Sequence, residues 1–289
     1  MLALGKLLPI SQIVALCLFS GSTVAGKEKP SYLALGDSIS FGLNPTLLPT
    51  MPGQPLPTPS QFIGYPEVIG SVDSRFNPEV NASCPGETSS SFLYGPPDNG
   101  CNGQGPTGQG PFKPVIGLHT DYSGTQVAFA VSELARNKNI KLVTLSIGAN
   151  DALVALAGCA IAGGDVPACI ADQLPIALNA YGRNLAQILA AIRSNYSGTL
   201  ILVNSYAPTA ELNAVALGLN QVTTAVGQQF GARVADAYTA FQIASALSGG
   251  DPCKAGLLIP LGPGTCDLHP SLIGQKVLAA AVEVAVAKH

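Results

Sequence analysis

The chain has 289 residues, 47% of them apolar and 11% charged, with a formal net charge of −3. This fits a globular domain with a full core and excludes a disordered chain. Scattered Lys and Arg form no basic stripe for nucleic acid or anionic membrane, and the absence of Trp argues against a stacking platform for bases or sugars.

The first element in chain order is a leader. Lys6 is the only charge before Lys27, Ile13 to Phe19 is a compact apolar core, and Ser22-Thr23-Val24-Ala25-Gly26 offers small residues for cleavage. Residues 1–26 read as a secretory signal peptide, with an apolar run too short for a membrane span. Residues 27–289 then form a single domain. Its first strand is the apolar run Tyr32-Leu33-Ala34-Leu35, which stops at Gly36-Asp37-Ser38. Asp37 is expected to cap the short helix that follows. Residues 43–64 and 95–114 are rich in Pro, Gly, Ser and Thr and read as long excursions from the domain. Within the second, Gly103-Gln104-Gly105-Pro106-Thr107-Gly108 fits the dinucleotide fingerprint, but the surrounding prolines deny it the strand and helix that fingerprint needs. It reads as a loop.

Leu142 to Ile147 and Thr199 to Val203 are strand candidates, and Ala232 to Ala235 is a weaker one. Tyr181, Leu185, Ile188, Leu189 and Ile192 form one helical stripe. Leu272, Ile273, Val277, Leu278 and Val282 mark a closing helix. Buried strands alternating with helices imply a parallel sheet covered on both faces, an α/β class. In such sheets ligands sit beyond the carboxyl ends of the strands. Three separate turns are expected to place a polar group there: Ser38, then Gly148-Ala149-Asn150-Asp151, then Asp267-Leu268-His269-Pro270 before the closing helix.

Six cysteines follow the leader, and an even number in an exported chain suggests disulfides. The spacing favours three local loops: Cys84–Cys101, Cys159–Cys169 and Cys253–Cys266. No Cys-x-x-Cys occurs and histidines are few, so no metal site is expected. Asn81-Ala82-Ser83 and Asn195-Tyr196-Ser197 match the N-glycosylation acceptor.

A serine hydroxyl needs a base within hydrogen-bond reach. His269 is the best candidate; His119 sits in a loop and His289 is the last residue. The oxyanion that forms needs donors. The amides of Ser38 and Gly86 and the side chain of Asn150 are the candidates. Asp151 is expected to be an N-cap and Asp236 to be structural. The α/β-hydrolase elbow Gly-x-Ser-x-Gly is absent.

Gly36-Asp37-Ser38, Gly86-Glu87-Thr88, Gly148-Ala149-Asn150-Asp151 and His269-Pro270 resemble the four ordered blocks of the SGNH/GDSL hydrolases. The resemblance spans most of the chain after the leader. It implies a three-layer α/β/α sandwich resembling flavodoxin. It implies ester hydrolysis through an acyl-enzyme, with Ser38 as nucleophile, His269 as base, and Ser38, Gly86 and Asn150 as the oxyanion hole. The expected partner is a small-molecule or lipid ester, met by a secreted or periplasmic monomer without cofactor, nucleic acid or stable membrane insertion. One block departs. The family has an Asp three residues before the His, where this chain has Cys266. Either Asp267, two before His269, orients the imidazole, or a backbone carbonyl near Cys266 does so and leaves a dyad.

Overall fold

The computed structural model describes residues 31–51, 53–77, 79–95, 100–105 and 110–287, so the expected leader lies outside it. In chain order the elements are β1 (Tyr32–Gly36), α1 (Ser38–Phe41), α2 (Tyr65–Val72), β2 (Glu79–Asn81), α3 (Ser89–Tyr94), α4 (Phe112–Ile116), α5 (Gln126–Arg136), β3 (Leu142–Ser146), α6 (Ala149–Ala162), α7 (Val166–Arg193), β4 (Thr199–Val203), α8 (Asn213–Gln229), β5 (Arg233–Ala235), α9 (Ala237–Ser245), β6 (Leu258–Gly262), β7 (Thr265–Pro270) and α10 (Leu272–Ala287).

β1 to β5 form one parallel sheet in the order β2-β1-β3-β4-β5. This is the flavodoxin-like order, with a switch point between β1 and β3. Alternation along the strands divides the core. Leu33, Leu35, Val143, Leu145, Leu200 and Leu202 face one side, where α3, α5, α7 and α8 cover them. Tyr32, Ala34, Leu142, Ile201 and Val203 face the other, under α2, α9 and α10. Both faces are buried, which is why β1, β3 and β4 read as mainly apolar runs without strict alternation. The architecture is the three-layer α/β/α sandwich.

Several local expectations need revision. Asp267-Leu268-His269-Pro270 is not a turn; it lies on β7, which pairs antiparallel with β6 in a separate hairpin. Asp151 is not an N-cap, because Gly148 takes that position and Asp151 sits in the first turn of α6. Asp37 does cap α1, accepting from the Ile39 amide at 3.0 Å. Asp236 caps α9 through the Thr239 amide. The helix expected around residues 181–192 is α7, which begins at Val166 with Asp165 as its cap. Its fully buried side chains run only from Tyr181 to Ile192. Its first half packs on α6, to which Cys159–Cys169 ties it. Cys84–Cys101 and Cys253–Cys266 are also bonded. Asn81 is 2% exposed, with its amide on the Ser40 carbonyl and Glu67, so a glycan has no access to it in the folded state.

Candidate active site

β1 delivers its last residue, Gly36, to the carboxyl edge of the sheet. Gly36 has φ +133°, and a Cβ there would lie 2.0 Å from the Ser146 carbonyl oxygen of β3. Only glycine turns the chain so close to the neighbouring strand. Asp37 then starts α1, and Ser38 stands at its first position.

The Ser38 Oγ lies 2.8 Å from His269 Nε2. On the far side of the ring, Nδ1 is hydrogen-bonded to Asp267 Oδ1. Asp267 and His269 are two apart on β7, so a strand sends both side chains to the same face. This is how an aspartate one position nearer than the family pattern reaches the ring. The same Oδ1 accepts from the His269 amide at 2.9 Å. β7 is held from both sides: Cys266 is bonded to Cys253, and the Tyr206 hydroxyl donates to the Leu268 carbonyl at 2.7 Å. Half-burial pushes the Asp267 carboxyl up, but hydrogen bonds and the charge of His269 outweigh it and hold the group below its ordinary value. His119 is engaged elsewhere, with Nε2 on the Phe41 carbonyl at 3.0 Å.

The other two expected donors meet at one residue. After β2 the chain turns through Cys84-Pro85-Gly86-Glu87. The Cys84 amide donates to the Gly36 carbonyl at 3.0 Å, so this turn lies against the end of β1. Gly86 has φ +78°, and a Cβ there would lie 2.6 Å from the Gly100 Cα. The Cys84–Cys101 bond holds that second loop in place. Asn150, in the first turn of α6, donates through Nδ2 to the Glu87 carbonyl at 2.9 Å. One amide hydrogen is thereby fixed and the other is left for a ligand. Next to it, Asp151 accepts from the Ser89 amide at 2.9 Å and from the Ser89 hydroxyl, tying α6 to α3. That demand is what draws it out of a capping role.

Chemically, the arrangement can move a proton. A hydroxyl, an imidazole and a carboxylate stand in line, with amide donors on the same edge of the sheet. The sequence model of the GDSL-like lipase/acylhydrolase family matches residues 34–277, which takes in all four motif blocks. The chain belongs to that family. Among solved structures, this family member is similar to phospholipase A1 from Streptomyces albidoflavus NA297, with 17% identity, a TM-score of 0.55, and 89% of this chain and 100% of that one covered. It is also similar to Axe2, an acetylxylan esterase from Geobacillus stearothermophilus, with 15% identity, a TM-score of 0.53, and 90% and 95% covered. A third is LAE5, an α/β hydrolase enzyme from the metagenome of Lake Arreo, Spain, with 17% identity, a TM-score of 0.53, and 89% and 94% covered. At these identities the likeness is one of fold. No curated protein matches the chain.

The candidate site is underlaid by three carboxyls, each a member of one of the motif blocks. Burial pushes Asp37 and Glu87 up to about 7 and Asp151 up to about 6. Each therefore binds its proton more tightly folded than unfolded. Their stabilisation is full below the unfolded values near 4 and is lost as pH rises through about 6–7. The thermal midpoint should accordingly fall between about pH 5 and about pH 8, and less steeply in Glu87→Gln. Calorimetry showing a flat or rising midpoint over that window would contradict the assignment of these groups.

Proposed function

We propose that the protein is an exported serine hydrolase that cleaves carboxylic acyl esters through an acyl-enzyme. The hydrogen-bonded line Ser38–His269–Asp267 carries this reading. Ser38 Oγ attacks the ester carbonyl carbon while His269 Nε2 takes its proton. The amides of Ser38 and Gly86 and the free hydrogen of Asn150 Nδ2 receive the oxyanion. Collapse breaks the C–O bond, and His269 returns the proton to the departing alcohol. Water, deprotonated by the same ring, then attacks the acyl-enzyme and releases the acid and Ser38. Asp267 holds the tautomer that leaves Nε2 free to accept.

The apolar residues nearby support an acyl ester as the substrate class. A groove of about 410 Å³ runs past Pro270 and Ser271, which follow His269 in the chain, with Gly42 and Asn44 on its other wall. Ile63, Ile259, Pro260 and Leu272 give it an apolar lining suited to an acyl chain. Two of the fold relatives are described as a phospholipase A1 and an acetylxylan esterase, so lipid and acetylated-sugar esters are the alternatives to test. Three disulfides and the apolar leader support export, since such bonds persist in oxidising compartments. Among the described residues no helix is long and apolar enough to cross a membrane.

A panel of p-nitrophenyl esters of rising acyl length, run beside acetylated xylan and phosphatidylcholine, tests the proposal. Turnover is expected on the acyl esters and not on the xylan. Faster deacetylation of xylan would overturn the substrate class, and no turnover on any of them would overturn the hydrolase.

A further inference from the structure

At the end of β1 the sheet has a gap. β2 pairs with β1 only as far as Ala34↔Asn81, then leaves to build the Cys84–Glu87 turn. The Gly36 carbonyl still finds the Cys84 amide at 3.0 Å, but the departing strand offers no acceptor for the Gly36 N–H. A buried amide left without a partner is costly.

The partner is a side chain. Gln126, the first residue of α5 and 1% exposed, places Oε1 2.6 Å from the Gly36 nitrogen. Its Nε2 donates to the Gly36 carbonyl at 2.9 Å. The primary amide thus stands in for the peptide group of the missing strand. Its remaining hydrogen goes to Glu87 Oε2 at 3.2 Å. Glu87 is fixed in turn by the Ser91 hydroxyl on Oε1. Its backbone carbonyl is the acceptor that orients Asn150.

We propose that Gln126 is a positioning residue that sets the spacing of the oxyanion donors. The inference rests on the hydrolase reading above. Through Gly36 it holds the turn that carries Ser38. Through Glu87 it holds the turn that carries Gly86 and the carbonyl that aims Asn150. A single buried amide therefore connects the carriers of all three donors. Preorganised donors matter because the charge they meet develops in the transition state, so loosening them lowers kcat more than it changes KM.

Two near-isosteric substitutions separate the functions of the amide. Gln126→Met removes acceptor and donors together. Gln126→Glu keeps the acceptor for the Gly36 N–H, but turns an oxygen toward the Gly36 carbonyl and Glu87. The carboxyl that Gln126→Glu introduces can donate one hydrogen while neutral; ionised, it can donate none. The charged and titratable groups around it are Glu87, Asp37, Asp151, Lys113 and Tyr122, with Lys113 Nζ 3.7 Å from the centre of the Tyr122 ring.

Kinetics of the purified protein on p-nitrophenyl acetate, with amide hydrogen exchange at Gly36, test the proposal. Both variants should lose at least about tenfold in kcat with little change in KM. The ratio of Gln126→Glu to wild type should rise as pH falls from about 8 to about 6, whereas that of Gln126→Met should stay constant. Gly36 protection should fall in Gln126→Met and persist in Gln126→Glu. Values of kcat within about twofold of wild type, or losses confined to KM or thermal midpoint, would overturn the proposal. If wild type hydrolyses no ester, the hydrolase reading fails and the spacing role with it, while Gly36 exchange still decides whether Gln126 is the strand's substitute partner.

Discussion

Ser38→Ala is expected to lose turnover of every substrate the wild type accepts, by roughly three orders of magnitude or more, as removal of a triad member does elsewhere. The fold should survive. The hydroxyl lies at the first position of a four-residue helix, and the bond it makes at the site is the 2.8 Å contact with His269 Nε2. Removing it should cost about 1 kcal/mol or less, since His269 remains held by Asp267 on its other side. Covalent labelling by a fluorophosphonate probe gives a readout independent of substrate choice. Wild type should be labelled in equimolar amount and Ser38→Ala not at all. Labelling that persists in the variant, or near wild-type turnover, would move the nucleophile elsewhere. A wild type that binds esters but neither labels nor turns over would point to a binding protein on this fold.

Much of the frame is legible because the parallel sheet is buried on both sides. β1, β3 and β4 appear as mainly apolar runs, with Thr144 the polar residue inside β3, and the carboxyl-edge rule turns their ends into a site. The edge strand β2 is not legible, since Glu79-Val80-Asn81 is short and mixes polar with apolar residues. The hairpin of β6 and β7 hides for another reason. Pro260 interrupts the first strand, and the second carries Asp267 and His269 where a core strand would carry apolar residues. The stripe of α7 stops at Tyr181 because the residues before it pack on α6 and not on the sheet. Asp151 looks like a cap from its place before an apolar run. What decides its role is Ser89, distant in sequence and adjacent in space. Gln126 gives no local signal at all. Its role depends on where β2 departs, and no spacing in the chain records that.

The last expectation concerns Asp267, on which the chain leaves the family's spacing. Its Oδ1 meets both the ring Nδ1 and the backbone amide of His269, so the carboxylate fixes the tautomer and the strand together. The hydrogen bonds and charge of His269 hold it below its ordinary value against the opposing effect of half-burial, so it is ionised wherever the imidazole can act as a base. In Asp267→Asn one atom takes the Oδ1 place that meets both groups: the amide nitrogen there donates to Nδ1 and gives up the His269 amide, whereas the amide oxygen there accepts from both but brings no charge to the imidazolium. With the nitrogen there the ring carries its proton on Nε2, facing the hydroxyl whose proton it is proposed to take. A loss of about four orders of magnitude in kcat at neutral pH is expected, as for the analogous change in a serine protease triad. His269→Ala should be nearly inactive, because it removes the proposed base. Measured side by side on one short-chain ester, the two substitutions separate triad from dyad. A loss below about tenfold, or about 1.4 kcal/mol, in Asp267→Asn beside an inactive His269→Ala would mean a backbone carbonyl suffices to hold the ring. Asp267→Ala supplies the control for strand geometry, since it removes the acceptor of the His269 amide as well. If the loss is electrostatic and tautomeric, Asp267→Asn should keep its thermal midpoint near wild type while losing activity. If it is conformational, midpoint and activity should fall together in both variants.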